Sequence, residues 1–194
     1  MDSDFALIIV PFGSYIEKEG AIRCCTASWR RMNDTNMPPR VKISGNYVNS
    51  ILAKTEAVMA GFDEGIMLNQ DGSVSEGTGE NLFLVIDGKI HTPSLENNIL
   101  TGITRDSVFQ LIKNELALEV IERPIDRSEI YLADEMFLTG TAAHVTPVGE
   151  LDNRKIGSGN VGPVTEKLSS MYAKVIRGEE KAYLDWCTPI SVSN

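Results

Sequence analysis

Four short stretches hold most of the residues that could do chemistry. Val41-Lys42-Ile43-Ser44-Gly45-Asn46-Tyr47 sets one lysine in a strand-like run just ahead of a helix. Ser75-Glu76-Gly77-Thr78-Gly79-Glu80-Asn81-Leu82-Phe83 sets a carboxylate on a glycine-rich turn before an apolar strand. Leu100-Thr101-Gly102-Ile103-Thr104-Arg105-Asp106 and Gly140-Thr141-Ala142-Ala143-His144-Val145-Thr146-Pro147-Val148 add small residues and hydroxyls. Gly102-Ile103-Thr104 precedes a helix, so free N–H groups and the positive end of the helix dipole make an anion site there. A sheltered amine is a nucleophile because burial disfavours its ammonium form. The set therefore offers an amine, an acid and two backbone cradles of phosphate size.

The elements that must position these groups are readable from periodicity and turn residues. Segments 5–11 and 22–28 read as buried strands, and 30–40, with Asn33-Asp34 and Pro38-Pro39, reads as a long loop. Segment 49–60 has Ile51, Leu52, Val58 and Met59 at helical spacing, with Gly61 as its cap. Asp71-Gly72 and Asp87-Gly88 read as hairpin turns. Segment 104–116 reads as an amphipathic helix, 120–123 as a strand, 128–132 as a short helix and 136–139 as a buried strand. Segment 163–177 reads as a long helix with Pro163 in its first turn. Strands and helices mix without a strict βαβ rhythm, which predicts an α+β fold.

Taken in order, the four motifs resemble the class IV (fold type IV) aminotransferases that use pyridoxal 5'-phosphate (PLP), and among them the branched-chain amino acid aminotransferases. The resemblance implies the large C-terminal domain of the D-amino acid aminotransferase-like fold. It also implies roles. Lys42 attaches the cofactor and carries a proton between the substrate Cα and the cofactor C4'. Glu76 faces the pyridine nitrogen and keeps it protonated, which makes the ring a better electron sink. Glu80 is the rival acid, placed off the ring by the match, and Asn81 is structural. The Tyr47 hydroxyl bonds the phenolic oxygen, and Leu100 packs against the ring. Gly102, Ile103, Thr104 and Thr141 hold the phosphate, while the N–H groups of Thr141 and Ala142 take the substrate carboxylate. Taken alone, Lys42 reads as a surface lysine and Tyr47 as a half-buried tyrosine with a wet hydroxyl.

The implied reaction moves an amino group from a branched-chain L-amino acid to 2-oxoglutarate. D-amino acid aminotransferases and aminodeoxychorismate lyases share the fold and stay open as alternatives. So does a non-catalytic globular domain or an inactive fragment. The Gly-Thr-Ala-Ala run followed by Thr146-Pro147-Val148 resembles the branched-chain group best. In that family a smaller N-terminal domain comes first. Residues 1–29 are therefore expected to be its last strands, 30–40 the interdomain connection and 41–194 the PLP-binding large domain. In the family the smaller N-terminal domain supplies the phosphate-binding arginine and part of the substrate pocket, so neither role is assigned here. The family also implies a homodimer or higher homo-oligomer for the complete protein.

Bulk properties exclude several other classes. The chain has 194 residues, 42% hydrophobic and 23% charged, as expected of a soluble globular protein. A net charge of -9 argues against nucleic acid as partner. No apolar run is long enough to span a membrane, and Met1-Asp2-Ser3-Asp4-Phe5 lacks the basic start of a secretory signal. Cys24, Cys25 and Cys187 show no metal-ligand spacing, so no metal is expected and the thiols read as reduced, in the cytoplasm. Arg105 and Asp106 read as a structural pair, and His144 and His91 as structural. Gly157-Ser158-Gly159-Asn160-Val161-Gly162 matches G-x-G-x-x-G but lacks its βαβ setting, so it reads as a turn.

Overall fold

The structure is a computed structural model that describes residues 4–10 and 20–190. Its strands are β1 (Ile22–Thr26), β2 (Glu64–Leu68), β3 (Val74–Gly77), β4 (Asn81–Ile86), β5 (Lys89–Thr92), β6 (Val120–Glu122), β7 (Glu135–Gly140), β8 (His144–Leu151) and β9 (Arg154–Lys155). The helices are α1 (Tyr47–Met59), α2 (Ile103–Leu111), α3 (Arg127–Ile130) and α4 (Pro163–Ile176). The described strands form one mixed sheet in the order β3-β2-β1-β8-β7-β4-β5-β6, with β9 paired to β8. β1 pairs in parallel with both β2 and β8, and β5 with β6, while the hairpins are antiparallel.

The period of two along the central strands sorts the core. Leu82 and Leu84 of β4, with Met136 and Leu138 of β7, join one apolar cluster beneath α3. Phe83 and Val85, with Phe137, face the other way and pack under α2 and α4. The Phe83 and Phe137 rings stack with centroids 4.9 Å apart. Both faces of β4 and β7 are covered, which explains their continuous apolar runs.

Local signals act as expected in several places. The Phe62 and Gly61 N–H groups return to the Ala57 and Val58 carbonyls, and Gly61 adopts φ +82, closing α1 in a Schellman motif. Asp126 and Glu129 form a capping box at α3. The glycine-rich segment 157–162 is a turn, and the N-terminus of α4 that follows it is engaged by a carboxylate of the chain itself. The buried Glu135 carboxylate accepts the Val164 and Thr165 N–H groups at 3.0 and 2.8 Å. A Cβ on Gly162 would meet Glu135 Cδ at 2.1 Å, so that glycine lets the carboxylate reach the helix.

Other expectations are corrected. The described part of segment 5–11, residues 5–10, is no strand: Phe5, Leu7, Ile8, Ile9 and Val10 are exposed and unpaired, and Pro11 lies outside the described residues. A strand needs a neighbour for its backbone groups, and none of the described strands supplies one. Residues 22–26 do not fit a separate remnant, because β1 is an inner strand of the large sheet. Lys42 is not in a strand but in an irregular, exposed stretch before a turn of 3-10 helix (Ser44–Asn46). Glu76 sits within β3, and the turn follows it at 78–80. The apolar residues of α1 face outward, while Ser50, Ala53 and Ala57 face the sheet, where α1 crosses Gly65 closely enough to admit only small side chains. α2 is shorter than read, since its end widens into a π-turn over Ile112–Leu116.

Candidate active site

Two adjoining hollows share Lys42, Gly79, Asn81 and Leu100. The first is also lined by Arg31, Tyr47 and Glu76, and the second by Gly102, Ile103, Thr104 and Thr141. The second encloses about 330 Å³. The fold therefore gathers Lys42, Tyr47, Glu76, Leu100, Gly102, Ile103, Thr104 and Thr141 from four distant stretches of chain. Ala142 lies beside them, exposed on the turn after β7, and does not line either hollow. The order along the cleft is acid, amine, helix N-terminus.

The acid is the most constrained member. Glu76 is 4% exposed, and its Oε1 lies 2.6 Å from Nη2 of the buried Arg31. Its Oε2 accepts from the Asn81 amide at 2.9 Å and from the Leu100 N–H at 3.0 Å. Burial is the larger influence and pushes its carboxyl up to about 7, against the pull of Arg31, the Leu100 N–H and Lys42. Asn81 also donates to the Leu100 carbonyl at 2.9 Å, so it ties the acid to the strip that leads to α2. That is the structural role expected of it.

Glu80 lines the first hollow as well, but with other partners. It is 4% exposed and accepts the Gly79 N–H at 3.1 Å. Burial and the nearby Glu64 charge push it up to about 8. Glu64 itself is held by Lys54 at 2.5 Å and the Thr78 hydroxyl at 2.6 Å.

The amine is open to the cleft. Lys42 is exposed, and its Nζ lies 5.7 Å from the centre of the Tyr47 ring. At the far end, Gly102 precedes α2 in extended conformation, leaving the Ile103 and Thr104 N–H groups without carbonyls of a preceding turn. A Cβ on Gly102 would meet Asn81 Oδ1 at 2.2 Å, so only glycine lets this strip lie against Asn81. Thr104 is buried, with its hydroxyl 3.4 Å from the Tyr172 hydroxyl. Thr141 is exposed at the rim.

Three site residues were missed by reading the sequence. Arg31 and Arg40 fall in the segment read as a connection, yet Arg31 is buried against Glu76 and Arg40 lines the second hollow. The Pro- and Asn-rich composition masks their roles. Thr139, on an apolar strand, also lines that hollow. Arg105 pairs with Glu122 at 2.7 Å rather than with Asp106, which accepts from Gln110 at 3.0 Å. The residues present fit a flat, anionic group: a carboxylate at one end, an amine beside it, and at the other end helix N–H groups and hydroxyls.

Comparison with known proteins identifies the family and the fold. Residues 1–151 match the family model described as amino-transferase class IV. A probable branched-chain-amino-acid aminotransferase of Aquifex aeolicus (strain VF5) is 53% identical over 187 residues, covering 96% of this chain and 60% of the relative. One from Synechocystis sp. (strain ATCC 27184 / PCC 6803 / Kazusa) is 44% identical over 193 residues, covering 100% of this chain and 62% of the relative. The crystal structure of the Thermobaculum terrenum branched-chain amino acid aminotransferase in its PLP form superposes with TM-score 0.89 at 43% identity, over 94% of this chain and 59% of that one. The chain thus spans about 60% of the length of the curated relatives it matches. On the family match and the fold together, the chain belongs to the class IV aminotransferases.

Proposed function

We propose that the protein transfers the amino group of leucine, isoleucine or valine to 2-oxoglutarate, using PLP held in the cleft described above. The observation that supports this reading is that Glu76 lines one hollow and the α2 N-terminus the adjoining one, with Lys42 shared between them. PLP, when bound, withdraws the electrons left at the substrate Cα.

The chain's own residues do the rest. Lys42 Nζ would hold the cofactor covalently until the substrate amine displaces it, and the freed amine would then carry a proton between the substrate Cα and the cofactor C4'. Glu76 keeps a proton on the pyridine nitrogen, and Arg31 keeps Glu76 oriented and charged. The Tyr47 hydroxyl bonds the phenolic oxygen, and Leu100 packs on the ring. The Ile103 and Thr104 N–H groups and the Thr104 and Thr141 hydroxyls bind the phosphate, with Gly102 opening the way. The Thr141 and Ala142 N–H groups bind the substrate carboxylate. The outward apolar residues of α1, among them Val48, Ile51 and Met59, support a homodimer. Reduced, buried Cys24 and Cys25 support a cytoplasmic setting. No helix among the described residues is long and apolar enough to cross a membrane.

The test is an assay of glutamate formation from 2-oxoglutarate with added PLP and one amino acid at a time. L-Leucine, L-isoleucine and L-valine are expected to serve, and D-amino acids to fail. Activity with D-alanine alone, or release of pyruvate from aminodeoxychorismate, would replace this reading with one of the two related chemistries.

A further inference from the structure

Thr139 is a buried hydroxyl that the described mechanism does not use. It lies on β7 in register with Asn81 of β4, on the face that carries Phe137 and Phe83. It is 1% exposed, and its hydroxyl has no hydrogen-bond partner among the described residues. Native proteins rarely leave such a group unpaired. Thr139 also lines the hollow at the start of α2, together with Gly102, Thr104, Thr141 and Arg40. The neighbouring Thr104 hydroxyl already faces Tyr172. The hollow thus combines a helix N-terminus, a guanidinium and a buried donor with no acceptor among the described residues.

We propose that Thr139 is a further phosphate-binding residue, whose hydroxyl donates to an oxygen of the phosphate monoester held at the α2 N-terminus. The inference rests on the functional reading above for the identity of that ester. It makes an unusual demand on one substitution. Thr139→Val keeps the shape and removes a hydroxyl that is a liability without ligand and an asset with it. The variant should therefore melt no lower than the parent when unliganded, yet bind the phosphate ester more weakly.

The experiment measures thermal melting without ligand, and dissociation constants for PLP, pyridoxal and inorganic phosphate, in the parent, Thr139→Val and Thr139→Ser. For Thr139→Val, PLP and phosphate affinity should fall roughly ten- to a hundredfold, the scale of one hydrogen bond to a charged group. Pyridoxal, which lacks the phosphate, should bind as in the parent, and Thr139→Ser should keep most of the PLP affinity. Undiminished PLP binding by Thr139→Val, an equal loss for pyridoxal, or failure of Thr139→Val to fold would each overturn the inference and leave the functional reading intact. A parent protein that binds neither PLP nor phosphate would overturn both.

Discussion

Arg31 Nη2 lies 2.6 Å from Glu76 Oε1, with both side chains more than nine-tenths buried. The loop that looks like a connection thereby supplies the counter-charge for a buried acid of the cleft. Arg31 is fixed in turn by the Asn98 carbonyl at 3.2 Å and the Ser50 hydroxyl at 3.4 Å. Position and charge of Glu76 thus depend on a residue far from it in sequence.

Removing Arg31 should cost more than removing the pair. Arg31→Leu leaves a buried carboxylate without its cation, which typically costs about 3–5 kcal/mol. Urea unfolding measures this. Glu76 already sits near 7, so its carboxyl should rise further and become neutral at neutral pH. The double variant Arg31→Leu/Glu76→Leu should recover much of the lost stability. A double variant as unstable as Arg31→Leu alone would mean that the pair is not the source of the effect.

The two acids should separate in kinetics. Glu76→Gln is expected to lower transamination roughly 10²-fold, the scale of losing one electrostatic partner at a reacting centre. PLP affinity should fall far less, because the phosphate donors remain. Glu80→Gln should leave the rate close to that of the parent. The reverse pattern would show that Glu80 faces the ring.

Glu80 should also write itself into the pH dependence of stability. Its carboxyl is raised from 4.5 to about 8 in the folded chain, by burial first and by Glu64 second. Between these values the folded state holds a proton that the unfolded state has lost, so stability falls as pH rises through this window. Below the unfolded value both states are protonated and the effect vanishes. Glu80→Gln removes the group, so it should raise the melting temperature relative to the parent at about pH 8 and less at about pH 5. An equal change at both values would mean that Glu80 does not titrate in this range.

Gly102→Ala tests the joint between acid and anion site. The new Cβ would meet Asn81 Oδ1 at 2.2 Å, so the strip before α2 must lift from Asn81. The cost should be about 1–3 kcal/mol in stability, with weaker binding of inorganic phosphate. Unfolding curves and phosphate titration that match the parent would show that Asn81 yields freely.

How much of this was legible beforehand follows from the range of each interaction. Turn and cap signals act within a few residues, so Asp87-Gly88, Gly61 and the capping box at Asp126 stand where local chemistry puts them. The four motifs were legible from their residue types, while the sheet order, which brings them to one cleft, is set by tertiary packing. Burial of Arg31 and the position of Arg40 are set by tertiary packing, and nothing local distinguishes them from other loop cations. The outward face of α1 misleads for a related reason: large apolar residues at helical spacing mark a buried face, but here the sheet admits only Ser50, Ala53 and Ala57. Segment 5–10 reads as a strand from its side chains alone, whereas a strand is completed by a partner.

Lys42 carries the central claim, and one measurement bears on it most directly. The protein is loaded with PLP, reduced with borohydride and digested, and the peptides are weighed by mass spectrometry. The account predicts the reduced cofactor on Lys42, none on Lys54 or the other lysines, and loss of both the label and transamination in Lys42→Ala. A label on another lysine, or turnover by Lys42→Ala within roughly tenfold of the parent when acid–base groups ordinarily contribute more than that, would contradict it.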